Sequence, residues 1–470
     1  MRIPVPSMIE PLSAIGPVHF VGIGGAGLSA IARLMAQQGV VVSGSDANDS
    51  VVVRALRAEG ITCHVGHAVE HLGSARTVVA STAVRDDNPE IVAARDRGLR
   101  LWPRSAGLAS VMVGRRTVAV AGTHGKTTTT AMLTVALRGA GADPSFAIGA
   151  EVATLGTNAA LGTGDVLVAE ADESDGAFLV YSPEVGVVTN VDPDHLDTWG
   201  SEAAYHAAFE EFVSTVGRAV VIGIDDPGAA ALVPVARAAG LEVVTTGIGT
   251  EHGVPDLLAT DLEVGPDGTT MTVSRADGPD VDVVLAVPGA HYAQDALLAL
   301  ATGLWLGHEP EALAAGLRRH AGAKRRMEVL GTQGGVTVID SYAHHPTEIR
   351  ADLAAARAIA GQRRLVVAFQ PHLVSRTRLY GERMGVELSA ADLVVLADLY
   401  LAREDSDPDV TSALVADAVD GPDALLGGAV DDLPGLLVDH LRPGDLLLTL
   451  GAGDITTVGD RVLRALAGPS

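Results

Sequence analysis

A chain of 470 residues that is 47% hydrophobic but only 3% aromatic must build its cores from Val, Leu, Ala and Ile. At roughly 150 residues per domain, the length predicts about three domains, and the composition suits buried parallel strands covered by helices. A formal charge of −25 speaks against a nucleic-acid partner, because no basic stripe is present to replace phosphate counterions.

Cys63 stands alone, so neither a disulfide framework nor a cysteine metal cluster is predicted. The opening residues, MRIPVPSMIEPLSAIG, are broken by Pro and Glu and lack a signal-peptide core. No apolar run reaches the ~20 residues that a membrane helix needs, which predicts a cytoplasmic chain without a membrane partner. Strand-like and helix-like segments alternate almost throughout, the pattern of α/β layers with parallel sheets.

The first block, residues 1–113, opens with VHFVGIGGAGLSAIARLMAQQG and continues through the strands VVVSGSD and TVVAST. Gly22, Gly24 and Gly27 fit GxGxxG after a strand, with Gly25 and Ala26 inside the loop and Asp46 closing the next strand. That is the dinucleotide fingerprint with its ribose-binding acid. The glycines say only that a pyrophosphate sits there. NAD(P), FAD and a UDP-sugar all carry one, and this block alone is compatible with an NAD-linked dehydrogenase.

The second block, residues 114–322, begins with TVAVAGTHGKTTTT, a β-branched run that turns through Gly122, Thr123, His124 and Gly125 into Lys126, Thr127 and Thr128. Glycines let backbone N–H groups converge on oxyanions, and the helix that follows points its positive end at them. The lysine adds a point charge, and a following threonine hydroxyl suits Mg²⁺. The chain has only two lysines, Lys126 and Lys324, and one of them stands where phosphate chemistry needs it. Val120 occupies the position of the first Walker A glycine, so the loop is the shorter GTHGKT form.

Further along, Glu170, Asp172, Glu173 and Asp175 follow the apolar strand DVLVA. Acids at a strand's carboxyl end beside a phosphate loop are placed to bind Mg²⁺ or orient water. The segment NVDPDHLD ends the next strand and offers His195 between two aspartates. From Leu258 to Val287, short alternating runs with turn signals predict an antiparallel excursion.

In the third block, residues 323–470, the strands read VTVID, RLVVAFQ, DLVVLADLY and DLLLTLGAGD. Lys324, Arg325 and Arg326 open it. Asp340, Tyr342, His344 and His345 follow the first strand, and His372 and Arg376 follow the second. Adjacent histidines cannot easily face one ion, which favours substrate contacts over zinc.

GIGGAG, AGTHGKTTTT, EADESDGAF, NVDPDHLD, PGAH at 288–291, KRRME, DSYAHHPTE and FQPH…R occur in the order of the Mur ligase family, which the chain resembles from residue 20 to 378. The alanine-adding branch is the nearer match, because the region where other branches carry a carbamylated lysine reads Ala207-Ala208-Phe209-Glu210. Three motifs depart from the pattern. PGxHNxxN becomes PGAHYAQD, RRF becomes Arg325-Arg326-Met327, and the second acid of DDY becomes Ser341. A different ATP-dependent amide ligase of the same family is the alternative.

The resemblance implies three domains: a Rossmann-like N-terminal domain, a central P-loop α/β domain and a C-terminal Rossmann-like domain. It implies ATP, UDP-N-acetylmuramate and L-alanine as ligands, and a monomer or homodimer. Two Mg²⁺ sites, which Mn²⁺ could also fill, would use Thr127 and Glu170, then Glu173 and His195. Lys126, Glu173, His195 and His344 would be catalytic. The ATP site would further draw on the 122–128 loop, His291, Tyr292 (stacking on adenine), Arg326 and Asp340 (at the ribose). Tyr342, His344, His372 and Arg376 would hold the amino acid.

Overall fold

A computed structural model describes residues 3–81, 84–174, 176–276, 278–402 and 404–468; Asp175 and the side chain of Asp197 lie outside this description. Three α/β sheets carry the chain, which forms two compact units. One comprises Met1–Thr260, Thr272–Val283 and Gln294–Arg319, the other Asp261–Met271, Val284–Ala293 and His320–Ser470.

The first sheet contains β1 (Val18–Val21), β2 (Val42–Asp46), β3 (Thr62–Val65), β4 (Thr77–Ala80) and β5 (Arg100–Pro103) in the order β3-β2-β1-β4-β5. All four pairings are parallel. The order reverses at β1, and in open α/β sheets ligands bind in the crevice at such a switch point. The GIGGAG loop follows that strand. Gly22 has φ +85°, a conformation that side chains resist, and the helix Ala26–Gln37 starts immediately after the loop.

The second sheet is built on β6 (Arg116–Ala121), β7 (Ser145–Val152), β8 (Thr157–Ala160), β9 (Val166–Glu170), β10 (Val185–Val188), β11 (Ala219–Gly223) and β12 (Glu242–Gly247). The antiparallel excursion of the sequence corresponds to β13 (Leu257–Gly265), β14 (Gly268–Arg275) and β15 (Val281–Leu285). The full order is β15-β14-β13-β12-β11-β10-β6-β9-β7-β8. β6 therefore lies between β9 and β10, parallel to both, with Val120 beside Glu170 and Ala121 beside Val188. This adjacency delivers three loops to one edge. The strand interiors are fully buried: Val118, Ala119, Val120, Leu167, Val168, Val187 and Val188 are each 1% exposed or less. Valine and alanine runs covered on both faces are what a central parallel sheet requires.

The second unit holds β16 (Glu328–Gln333), β17 (Val336–Ser341), β18 (Leu365–Phe369), β19 (Leu393–Ala397), β20 (Asp423–Gly428) and β21 (Leu446–Leu450), ordered β16-β17-β21-β18-β19-β20. Only β16 runs antiparallel to its neighbour. The carboxyl ends of β17, β18 and β19 thus bring the segments after Ser341, Phe369 and Ala397 to the same edge. Among the described residues, no helix is long and apolar enough to cross a membrane.

Candidate active site

The phosphate loop leaves β6 at Gly122, with φ +133°, and enters the helix Lys126–Gly139 through Gly125, with φ +81°. A side chain is strained at either position. A Cβ at Gly122 would lie 1.9 Å from Thr189 Oγ1, and one at Gly125 would lie 2.4 Å from Asp295 Oδ1. The loop is latched by the segment after β10. Asn190 Oδ1 accepts from the His124 amide at 2.8 Å, Thr189 Oγ1 donates to the His124 carbonyl at 2.6 Å, and His124 Nε2 lies 3.3 Å from Asp192 Oδ2.

Thr123 is held by two elements, donating to the Asp192 carbonyl at 2.9 Å and bonding the Tyr205 hydroxyl at 2.7 Å. The threonine run is at ease inside the helix, because Thr130 bonds back to the Lys126 carbonyl and Thr134 to that of Thr130. Thr128 is buried in the first turn.

Lys126 turns back over its own loop. Its ammonium donates to the Gly122 carbonyl at 2.7 Å and the Thr123 carbonyl at 2.8 Å, and pairs with Glu173 at 2.7 Å. Burial pushes the Glu173 carboxyl up, to about 7, against the pull of Lys126. His195 Nε2 stands 3.9 Å from the other Glu173 oxygen and 3.7 Å from Asp194. His195 itself has φ +52°, a conformation rare for a side chain of its size, as it caps a short helix.

The second sequence-predicted pair also meets. Thr127 donates to both oxygens of Glu170, 3.0 Å from each, and Glu170 accepts the Gly149 amide at 2.7 Å. A hydroxyl and a carboxylate at a helix start form the hard-oxygen donor set that Mg²⁺ takes. The donor set therefore fits that ion. Beneath these loops Phe178, Trp199, Tyr205, Phe209 and Phe212 pack ring on ring. Trp199 Nε1 donates to the Glu173 carbonyl at 3.2 Å, which ties that platform to the acid. Phe209 is fully buried in this cluster.

In the glycine loop of the first block, Asp46 accepts from the Gly24 amide at 2.9 Å and the Asn48 amide at 3.1 Å. Gly25 caps the helix that begins at Ala26, and Gly27 lies in its first turn. Sequence reasoning missed Arg104, which donates to Asp172 at 2.8 Å. Burial opposes ionisation of Asp172, but Arg104 and Lys126 hold its carboxyl well below the usual range.

The second unit brings Tyr342, His344, His372 and Arg376 together. His344 lies edge-on to Tyr342 and to His372, with ring centroids 5.2 and 5.9 Å apart. Arg376 Nη1 is 3.0 Å from His372 Nδ1 and the arginine is only 5% exposed, so it is no surface cation. The helix Val374–Leu388 begins two residues after His372 and carries Arg376 in its first turn. Tyr400, unnoticed in the sequence, stacks on His372 at 5.6 Å. His344 is oriented by its contact with the Tyr342 carbonyl at 2.9 Å and by Glu348, which accepts its amide at 2.9 Å.

Two expectations are corrected. Asp340 is 1% exposed and accepts from Thr449 at 2.6 Å and Thr456 at 2.7 Å, with Arg325 at 3.4 Å. Its oxygens anchor neighbouring elements and are not presented to a ribose. Tyr292 is 2% exposed, its ring packed on His291 and its hydroxyl donating to the Arg326 carbonyl at 3.1 Å, so no face is open for adenine stacking. His291 keeps a partly exposed edge 3.8 Å from Asp352, and burial lowers it to about 4, so it is neutral at pH 7. Arg326 lies over the Tyr342 ring at 5.0 Å. Asp295, in place of the motif's last asparagine, is buried and accepts from Thr129 at 2.9 Å.

A glycine loop at a sheet's switch point, a short phosphate loop flanked by acids, and a third α/β sheet define an ATP-dependent ligase architecture. Residues 17–116 match the Mur ligase family catalytic domain, residues 120–303 the Mur ligase middle domain, and residues 325–453 the Mur ligase glutamate ligase domain. The chain belongs to the Mur ligase family.

It is 56% identical to the UDP-N-acetylmuramate–L-alanine ligase of Nocardioides sp. (strain ATCC BAA-499 / JS614), with 100% of both chains covered. It is 47% identical to the enzyme of that name from Thermobifida fusca, over 98% of this chain and 100% of the relative. The solved UDP-N-acetylmuramate-alanine ligase of Thermotoga maritima superposes with a TM-score of 0.81 at 29% identity, covering 96% of this chain and 98% of that one. A murein peptide ligase from Psychrobacter arcticus 273-4 gives 0.73 at 25% identity, covering 97% and 99%.

Proposed function

We propose that the chain joins L-alanine to the lactyl carboxylate of UDP-N-acetylmuramate, converting ATP to ADP and phosphate, in the synthesis of peptidoglycan precursor. The observation that carries this reading is the Lys126–Glu173–His195 constellation on the short phosphate loop, in the same compact unit as the GIGGAG loop. The identity to relatives named for that reaction supports it. We assign residues 1–113 to the sugar nucleotide, 114–322 to ATP and 323–470 to the amino acid, in a cytoplasmic monomer or homodimer.

Phosphoryl transfer asks for alignment and charge neutralisation more than covalent help. Lys126 and the loop amides hold the β- and γ-phosphates, and the lactyl carboxylate takes the γ-phosphoryl group as an acyl phosphate. The alanine amine then attacks that carbonyl, phosphate leaves and an amide remains. Thr127 with Glu170, and Glu173 with His195, would hold Mg²⁺ (or Mn²⁺), which neutralises phosphate and carboxylate charge that would otherwise repel. Arg376 and His372 take the alanine carboxylate, and Tyr342 and His344 stand near its amine. His291 and Arg326 serve ATP at the adenine end.

The test is phosphate release with each component omitted in turn. Release should require ATP, Mg²⁺, UDP-N-acetylmuramate and L-alanine together. Robust turnover without the sugar nucleotide, or NADH oxidation in its place, sinks the reading.

A further inference from the structure

Gly27 is the third glycine of the GxGxxG loop, where the usual reason for glycine is close packing of helix on strand. A different neighbour is present here. A Cβ placed on Gly27 would lie 2.9 Å from Cδ and 3.0 Å from Nη1 of Arg104. The arginine starts the helix Arg104–Met112 directly after β5, and its guanidinium lies across the first turn of the helix Ala26–Gln37. Its other end donates to Asp172 at 2.8 Å, next to Glu173. One planar cation thus spans from the glycine loop to the acidic segment beside the phosphate loop.

We propose that Arg104 is a sugar-nucleotide contact, neutralising the diphosphate at the GIGGAG loop while tied to Asp172, and that Gly27 is glycine to make room for it. The proposal rests on the reading that this loop holds a UDP-sugar. A diphosphate brings charge that loop amides and a helix terminus offset only in part. A guanidinium fork matches paired phosphate oxygens and keeps its charge when half-buried. Because the same side chain pairs with Asp172, occupancy of the glycine loop also bears on the acid next to Glu173.

Calorimetric titration of the full chain with UDP, UDP-N-acetylmuramate and, separately, ATP tests this. Arg104→Gln should weaken UDP and UDP-N-acetylmuramate in parallel, by ~10- to 100-fold for a lost charge-assisted bond, and change ATP affinity by less than about threefold. Arg104→Lys keeps the positive charge but not the planar fork, so it should fold and show a smaller loss of the same pattern even if Arg104→Gln does not fold. Unchanged UDP affinity in the variants overturns the proposal. So does an equal loss for ATP, which marks a structural role, or a loss for UDP-N-acetylmuramate alone, which moves the contact off the diphosphate. A wild-type chain that binds no UDP-sugar overturns the underlying reading instead.

Discussion

The Lys126 ammonium sits 2.7 Å from a Glu173 carboxylate that is 1% exposed, while donating to two carbonyls of its own loop. These three contacts hold the cation over its own phosphate loop. A charge aimed at a dry reacting centre is worth ~3 kcal/mol or more, over a hundredfold in rate. Lys126→Ala should therefore lower kcat more than a hundredfold at saturating ATP, with UDP-N-acetylmuramate affinity nearly unchanged. A variant that is folded by circular dichroism and keeps a tenth of wild-type kcat removes Lys126 from phosphate chemistry.

Tyr205 is fully buried, and its hydroxyl bonds Thr123 of the loop at 2.7 Å. Tyr205→Phe leaves the ring in place and removes that bond, worth ~1 kcal/mol net. The expected result is a rise of about fivefold in the ATP KM and a fall in Tm of only about one or two degrees, with the alanine KM unmoved. An ATP KM equal to wild type would reduce Tyr205 to core packing.

In the second unit, Arg376 is buried against His372. An arginine fork pairs with a carboxylate through two parallel bonds that a lysine cannot reproduce. Arg376→Lys should raise the alanine KM at least about tenfold, from ~1.5 kcal/mol or more of lost charge-assisted bonding, and leave UDP-N-acetylmuramate unaffected. Titrating each substrate separately decides it, and a larger effect on the sugar nucleotide takes Arg376 out of the alanine site.

Glu90 supports the first sheet from inside. It is fully buried and accepts from Ser45 at 2.5 Å and the Ala68 amide at 3.2 Å, with His71 at 2.9 Å and His19 at 3.6 Å. Burial opposes its ionisation, yet the nearby His19 imidazole and the bonds from Ser45 and the Ala68 amide hold it down to about 2, against an ordinary 4.5. A depressed carboxylate stabilises the fold fully above 4.5, and that contribution is lost as pH falls towards 2. It amounts to about 3 kcal/mol at neutral pH. Urea unfolding of Glu90→Gln against wild type should give a stability gap at neutral pH that narrows as pH falls below about 4.5. A gap that widened on acidification would contradict the assignment.

The strands and the phosphate loop were legible because their signals are local. Valine runs closed by glycine need no knowledge of the rest of the chain, and TVAVAGTHGKTTTT contains both strand and turn chemistry. The meeting of Thr127 with Glu170 was also readable, since acids after the next parallel strand land at the same sheet edge. Arg104 was not, because its partner Asp172 is 68 residues away and WPRSAG carries no phosphate signature. Tyr205 and Tyr400 likewise act through contacts that only the fold creates. Asp340 and Tyr292 were misjudged for one reason: a motif shows residue type, whereas burial by Thr449, Thr456 and His291 decides which atoms face outward.

The most direct test of the reaction follows oxygen atoms. UDP-N-acetylmuramate labelled with ¹⁸O in its lactyl carboxylate is turned over with ATP and L-alanine, and the released phosphate is analysed by mass spectrometry. Attack of that carboxylate on the γ-phosphorus, followed by expulsion of phosphate by the amine, predicts one ¹⁸O in each phosphate released. Amide product accompanied by phosphate free of ¹⁸O would contradict the acyl-phosphate route.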